Sequence, residues 1–246
     1  MSIERLSMRK YSPAKSSIAL LAISILAIAA TPTQPLAAQN SELQQKIADV
    51  KMAAATNKQA LAQYTYVQTT TISLKSEVKK VTHDQVVTGP DGKPQKTSLD
   101  PPPAPPSGGR LKQKVVEKKK DELIEYADSI KALIQQYVPP DKDLIQQAAA
   151  QGNIMIGPAG SPGVFNLVIS NYVKQGNKMT LAVNKAAGGL QTISIATYLT
   201  DPSDAVTVNV QFATIPGGPN HPDTVTINGV SKQLTIVNQN GSYRKL

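Results

Sequence analysis

The chain has 246 residues, a formal net charge of +9, 40% hydrophobic residues, and neither cysteine nor tryptophan. Without cysteine it forms no disulfide, no thiolate metal site and no cysteine nucleophile, so an exported form must be held together by its core. Its short basic runs, Lys79-Lys80 and Lys118–Lys120, stand beside Glu77, Glu117 and Asp121, and only two Phe accompany them; nucleic-acid binding, which interleaves bases of positive charge with aromatics, is not expected.

Arg5, Arg9, Lys10 and Lys15 precede an apolar run over residues 18–30, followed by Pro32, Pro35 and the small residues Ala37 and Ala38. Charge, short apolar stretch and small-residue exit make residues 1–38 a cleaved signal peptide. Its apolar run is shorter than the roughly 20 residues that cross a bilayer; retention as an anchor is the rival reading. No Arg-Arg pair precedes the run, which points to a Sec-type route and a periplasmic destination. Residues 39–246 are expected to form one domain.

Ser41 and Gln44 make a capping box. Behind it Leu43, Ile47, Val50, Ala54 and Leu61 recur at mostly helical steps, which predicts a helix over 41–62. Residues 63–74 switch to β-branched and aromatic types, a strand signal. A turn at Lys75-Ser76 leads to a second strand over 77–88, and Gly89-Pro90-Asp91-Gly92 turns into a third over 94–99. The proline-rich segment 100–109 suits neither a helix nor a sheet interior and reads as a stiff linker.

An amphipathic helix is expected over 111–138, with Val116, Leu123, Ile124, Ala127, Ile130, Leu133, Ile134 and Tyr137 on one stripe. Asp141 or Asp143 caps a second helix to about Gln151, closed by Gly152. Residues 154–163 read as an apolar loop packed on the core. Strand signals then fill the chain: 165–174, Met179 to Val183, Ile193 to Thr197, Val206 to Phe212, Val225 to Ile227, and 232–238. A turn at 186–189 and a long one over 216–223 interrupt them. Helices and one-sided strands in this order predict an α+β fold, a curved antiparallel sheet that forms an unclosed barrel, with helices covering its concave face.

Two segments, LAQYTYVQTTT (61–71) and LTIVNQNGSYRKL (234–246), in an exported chain with this layout, resemble the two ends of the LolA/LolB/RseB-like periplasmic lipoprotein-carrier superfamily. The resemblance implies an unclosed barrel with a helical lid that shields acyl chains, the block 111–152 forming an enlarged lid. No individual ligand residue is carried over from it.

No catalytic constellation is expected. His83 adjoins Asp84, but neighbouring strand residues point to opposite faces. His221 lies in the proline-rich turn, and Asp201 and Asp204 read as turn formers. No H-E-x-x-H, P-loop or G-x-S-x-G motif occurs, so no enzyme activity, metal or cofactor is anticipated. The expected function is that of a periplasmic binding or carrier protein for an apolar ligand such as lipid acyl chains or lipoprotein. Its candidate lining residues are Leu123, Ile130 and Ile134 from the lid and Val206, Val208, Val210 and Phe212 from the sheet, with ordinary core packing as the competing reading. The other function in view is an envelope interaction or scaffold module with no small ligand. A monomer, with transient contact to an anionic membrane surface, completes the expectation.

Overall fold

The computed structural model of the chain describes residues 45, 55–102, 110–138, 140–184 and 189–246. The expected signal peptide and most of the expected linker lie outside these residues. Residues 55–61 are helical (α1). Then come strands β1 (Tyr64–Leu74), β2 (Glu77–Thr88) and β3 (Pro94–Ser98), helices α2 (Arg110–Ile134) and α3 (Lys142–Ala150), and strands β4 (Ile154–Pro158), β5 (Val164–Ser170), β6 (Lys178–Asn184), β7 (Gly189–Tyr198), β8 (Ala205–Thr214), β9 (Asn220–Gly229) and β10 (Leu234–Lys245).

The strands make one antiparallel sheet in the order β3-β2-β1-β10-β9-β8-β7-β6-β5-β4. Its edges, β3 and β4, do not meet, so the sheet is curved and unclosed, as expected from the sequence. Register shifts in the β1–β10, β1–β2, β6–β7 and β8–β9 pairs mark bulges, which bend and twist the strands that carry them. At the β1–β2 turn Lys75 and Ser76 both take positive φ, 52° and 64°. A two-residue turn with that geometry matches the twist of the strands it joins.

The pairing aligns apolar residues in rows across the inner face. One row runs Ile154–Ile169–Met179–Ile195–Val208–Ile227–Ile236–Ile72, from β4 to β1. The next runs Ile156–Leu167–Leu181–Ile193–Val210–Val225 and then turns polar at Asn238 and Thr70. Tyr126, Ile130, Leu133 and Tyr137, spaced by three or four residues, pack with these rows in one core, joined by Ala148 of α3. Each fully buried Val, Leu, Ile or Met of this core stabilises the fold by about 1.5–3 kcal/mol.

Polar ends of the core tyrosines lock the helices in place. Tyr126 donates to Asp204 Oδ1 at 2.9 Å, before β8. The Tyr137 hydroxyl meets Thr197 Oγ1 of β7 at 2.7 Å and accepts from Asn177 Nδ2 at 2.6 Å. Asn177 Oδ1 in turn accepts from the Tyr172 amide at 2.7 Å. Tyr172 reaches the Asp141 amide, and Asp141 caps α3 by accepting from the amides of Asp143 and Leu144. Asp204 is therefore a helix anchor as well as a turn residue. Tyr126, absent from the expected stripe, is buried, whereas Ile124 is exposed: the buried stripe is rotated toward the residue whose hydroxyl finds Asp204.

Apart from earlier ends of α2, at Ile134 rather than 138, and of β5, at Ser170 rather than 174, three segments differ from the sequence expectation. Residues 154–158 are not loop but edge strand β4, because Ile154, Met155 and Ile156 find a ladder on β5 before Gly160 and Gly163 turn the chain. The long turn expected over 216–223 ends by residue 219, closed by Ile215 N to Pro219 O at 3.0 Å. His221, Pro222 and Asp223 belong to β9, where the missing N–H of Pro222 falls at the bulge opposite Phe212. Finally, β10 continues through the polar tail to Lys245, because the eleven-residue β1 supplies a partner along its whole length.

Side chains of α2 lie directly over Gly229. A Cβ there would lie 2.7 Å from Ile130 Cδ1 and from the Tyr126 ring, while one at Gly241 would meet nothing within 4 Å. Gly229→Ala is expected to lower the unfolding free energy by about 1–3 kcal/mol in urea titrations, and Gly241→Ala to change it much less.

Candidate functional site

Among the described residues, α2 from Leu123 onward and α3 pack on the apolar rows of β5 to β8 and, at Gly229, on the end of β9. Beyond them, on β9, β10 and β1, the same rows continue as Val225, Ile227, Ile236 and Ile72, all half-buried and packed against the core margin. Along β1 the inner face then changes character. Thr70 Oγ1 donates to Asn238 Oδ1 at 2.8 Å. One step on, Gln68 Nε2 donates to Asn240 Oδ1 at 2.8 Å, Asn240 Nδ2 donates to the Pro222 carbonyl at 2.8 Å, and Lys96 Nζ donates to Gln68 Oε1. Gln68 and Asn240 are buried, and this ladder accounts for both. Beyond it Tyr66 stacks on Tyr243 at 4.9 Å between ring centroids, and His221 lies 4.1 Å from the same Tyr243 ring. Along these strands the inner face thus grades from aliphatic through amide to aromatic.

The site contains hydrogen-bonding groups held in fixed protonation states. Burial pushes the Tyr66 hydroxyl above its ordinary pKa; for Tyr243 burial does the same more strongly, aided by Tyr66 and the Asp223 charge. Both stay protonated into alkaline solution. Among the described residues no group of three or more His, Asp or Glu side chains is placed to hold a metal ion, and no described helix is long and apolar enough to cross a membrane.

The seven residues singled out from the sequence all fall within one helix–sheet cluster. Ile130, Val206, Val208 and Val210 are buried in it; Leu123, Ile134 and Phe212 are half-buried at its margin. The half-buried floor lies on the neighbouring strands, at Ile72, Val225, Ile227 and Ile236. Ile72 and Ile236 sit in strands visible in the sequence, but which residues α2 leaves uncovered is decided by the tyrosine anchors. Gln68, Asn240 and Lys96 had no sequence signal, since their spacing exists only through the β1–β10, β1–β2 and β2–β3 pairings.

His83 and Asp84 point apart as expected; His83 pairs with Asp100 instead, Nδ1 to Oδ1 at 2.9 Å, and its amide donates to Asp100 Oδ2 at 2.8 Å. The outer face of β6–β9 carries a shallow groove of about 510 Å³, lined by Thr180, Ser194, Thr207, Asn209, Thr226 and Asn228 among others, with Lys178 as the one charged group. Hydroxyls and amides of this kind bind water readily but hold no acid–base chemistry.

Compared with known proteins, the chain matches no family model, no curated protein and no solved structure.

Two outcomes test this description. Asn240→Ala leaves the buried Gln68 amide without its acceptor and is expected to cost about 1–3 kcal/mol in unfolding free energy; adding Gln68→Leu should recover part of that loss. The His83 hydrogen bonds hold the Asp100 carboxyl below the ordinary carboxylate range. The stability they contribute is present above the unfolded-state pKa and is lost as pH falls through the lower folded-state value. In His83→Ala, carbon-detected NMR titration should find the Asp100 pKa moved up toward that of a free aspartate.

Proposed function

We propose that this chain is an exported periplasmic binding or carrier protein for an apolar ligand such as lipid acyl chains or lipoprotein. One observation carries the reading: the apolar rows of the inner face extend past the helices and remain half-covered on β9, β10 and β1. Methylenes laid along Val225, Ile227, Ile236 and Ile72 leave water at about 0.8 kcal/mol each. The amide ladder at Thr70–Asn238 and Gln68–Asn240 lies next along the strands and offers hydrogen-bonding groups to the carbonyls of an ester or amide-linked head. A sheet with a covered and an uncovered half suits reversible holding, since the covered half keeps the fold while the other half exchanges its contents. The resemblance of layout and of the two chain ends to the lipoprotein-carrier superfamily supports the same reading, as does the amino-terminal charge and hydropathy pattern for export.

Native mass spectrometry of protein purified from an envelope fraction is expected to show a co-purifying lipid. Ile236→Glu, on the half-buried floor, should weaken binding of an acyl-chain fluorophore about tenfold or more, because it sets a carboxylate where the chain lies. Circular dichroism should stay unchanged. A chain that carries no lipid and does not bind the fluorophore is not a carrier, and would turn attention to a scaffold role in the envelope.

A further inference from the structure

The two edges of the sheet are built differently. At β3 the backbone groups pointing away from β2 belong to Pro94, Lys96 and Ser98, since Leu99 N bonds His83 O and fixes the alternation. Proline and lysine at such positions discourage a further strand. At β4 the alternation is fixed at both ends, by Ser170 N to Asn153 O at 2.9 Å and Ala159 N to Val164 O at 3.2 Å. Asn153, Met155, Gly157 and Ala159 therefore bond to β5, and Ile154, Ile156 and Pro158 turn their backbone groups outward. No charged residue occurs in β4, and Met155 and Ile156 are exposed at 64% and 37%.

We propose that β4 pairs with β4 of a second copy of this chain, antiparallel, about a two-fold axis at Ile156. In that register each Ile156 exchanges two backbone hydrogen bonds with its counterpart. Each Ile154 N–H finds the Pro158 carbonyl of the other copy, while each Ile154 carbonyl, facing a proline without N–H, stays open to water, so the register makes four backbone hydrogen bonds in all. Met155 then lies opposite Gly157 of the other copy. A Cβ at Gly157 would meet nothing within 4 Å, so the space over that glycine is open to the exposed methionine. Pairing about Met155 instead would set two methionines at one point in the close, non-hydrogen-bonded position. The match between an exposed large side chain and an open glycine two residues away is what selects a second copy as the occupant. It stands against the monomer expected from the sequence and does not rest on the carrier reading.

So short a strand makes a small interface, and a dissociation constant on the order of 10–100 μM is expected. Sedimentation equilibrium of the purified chain in physiological salt, which screens its net positive charge, should show a concentration-dependent dimer. Ile156→Lys, which sets like charges across the axis, and Met155→Lys should each abolish it with circular dichroism unchanged; Ser98→Lys on the opposite edge should not. Because the chain has no cysteine, single substitutions report position directly. Ile156→Cys should close into a disulfide-linked dimer under mild oxidation, and Ser98→Cys should not. A chain that stays monomeric at millimolar concentration, a dimer indifferent to both lysine substitutions, or equal cross-linking from both edges would overturn the proposal.

Discussion

Everything in this fold depends on how one side of α2 is held against the inner face of the sheet. Ile130 is 1% exposed and, with Tyr126, sits directly over Gly229, where no larger residue fits without displacement. At the other end Tyr137 joins Thr197 of β7 and Asn177 before β6. The segment from Tyr126 to Tyr137 thus crosses from the end of β9 to β6 and β7, and its buried aliphatic residues fill the span between. The apolar contact supplies most of the stabilisation, because it removes a continuous surface from water. The hydroxyl anchors add less energy but determine where along the sheet the helix lies, since a buried hydroxyl without a partner is costly.

That placement divides the inner face. The segment reaching from the end of β9 to β6 and β7 completes a core there, which also takes in Leu234 of β10, while Val225, Ile227, Ile236 and Ile72 stay half-buried beside it. The sheet does not close around them, because β3 and β4 are separate edges. Among the described residues, a half-buried apolar strip thus lies beside a buried amide ladder. The ladder itself is satisfied internally, Gln68 to Asn240 and Asn240 to Pro222, so it is stable without a ligand and does not need one to fold.

Among the described residues, the open sheet ends in two edge strands. The chain treats them unequally. β3 carries proline and lysine at outward positions, whereas β4 carries isoleucines. The difference follows from position: β3 lies at the polar end of the sheet, while β4 continues the aliphatic rows of the inner face.

Strand and helix locations were legible in the sequence wherever one face of an element is buried. The alternation of Val206, Val208, Val210 and Phe212 marks β8, and the three- and four-residue steps of Ile130, Leu133 and Tyr137 mark the end of the α2 segment, because burial on one side imprints the period of the element on the residue order. The antiparallel, unclosed architecture followed from many one-sided strands and few helices. What the residue order did not contain is anything that requires two distant segments at once. The tail over 239–245 reads as polar and irregular until β1 lies beside it; residues 154–158 read as loop until β5 does; Asp204 reads as a turn former until Tyr126 arrives. Gln68, Asn240 and Lys96 meet only through strand register, and Gly229 shows its purpose only when α2 rests on it. Periodicity is a property of one segment against an averaged environment, and so the sequence by itself determined the elements and their buried faces. Register, helix placement and therefore the uncovered strip are properties of pairs, and only the tertiary structure decided them.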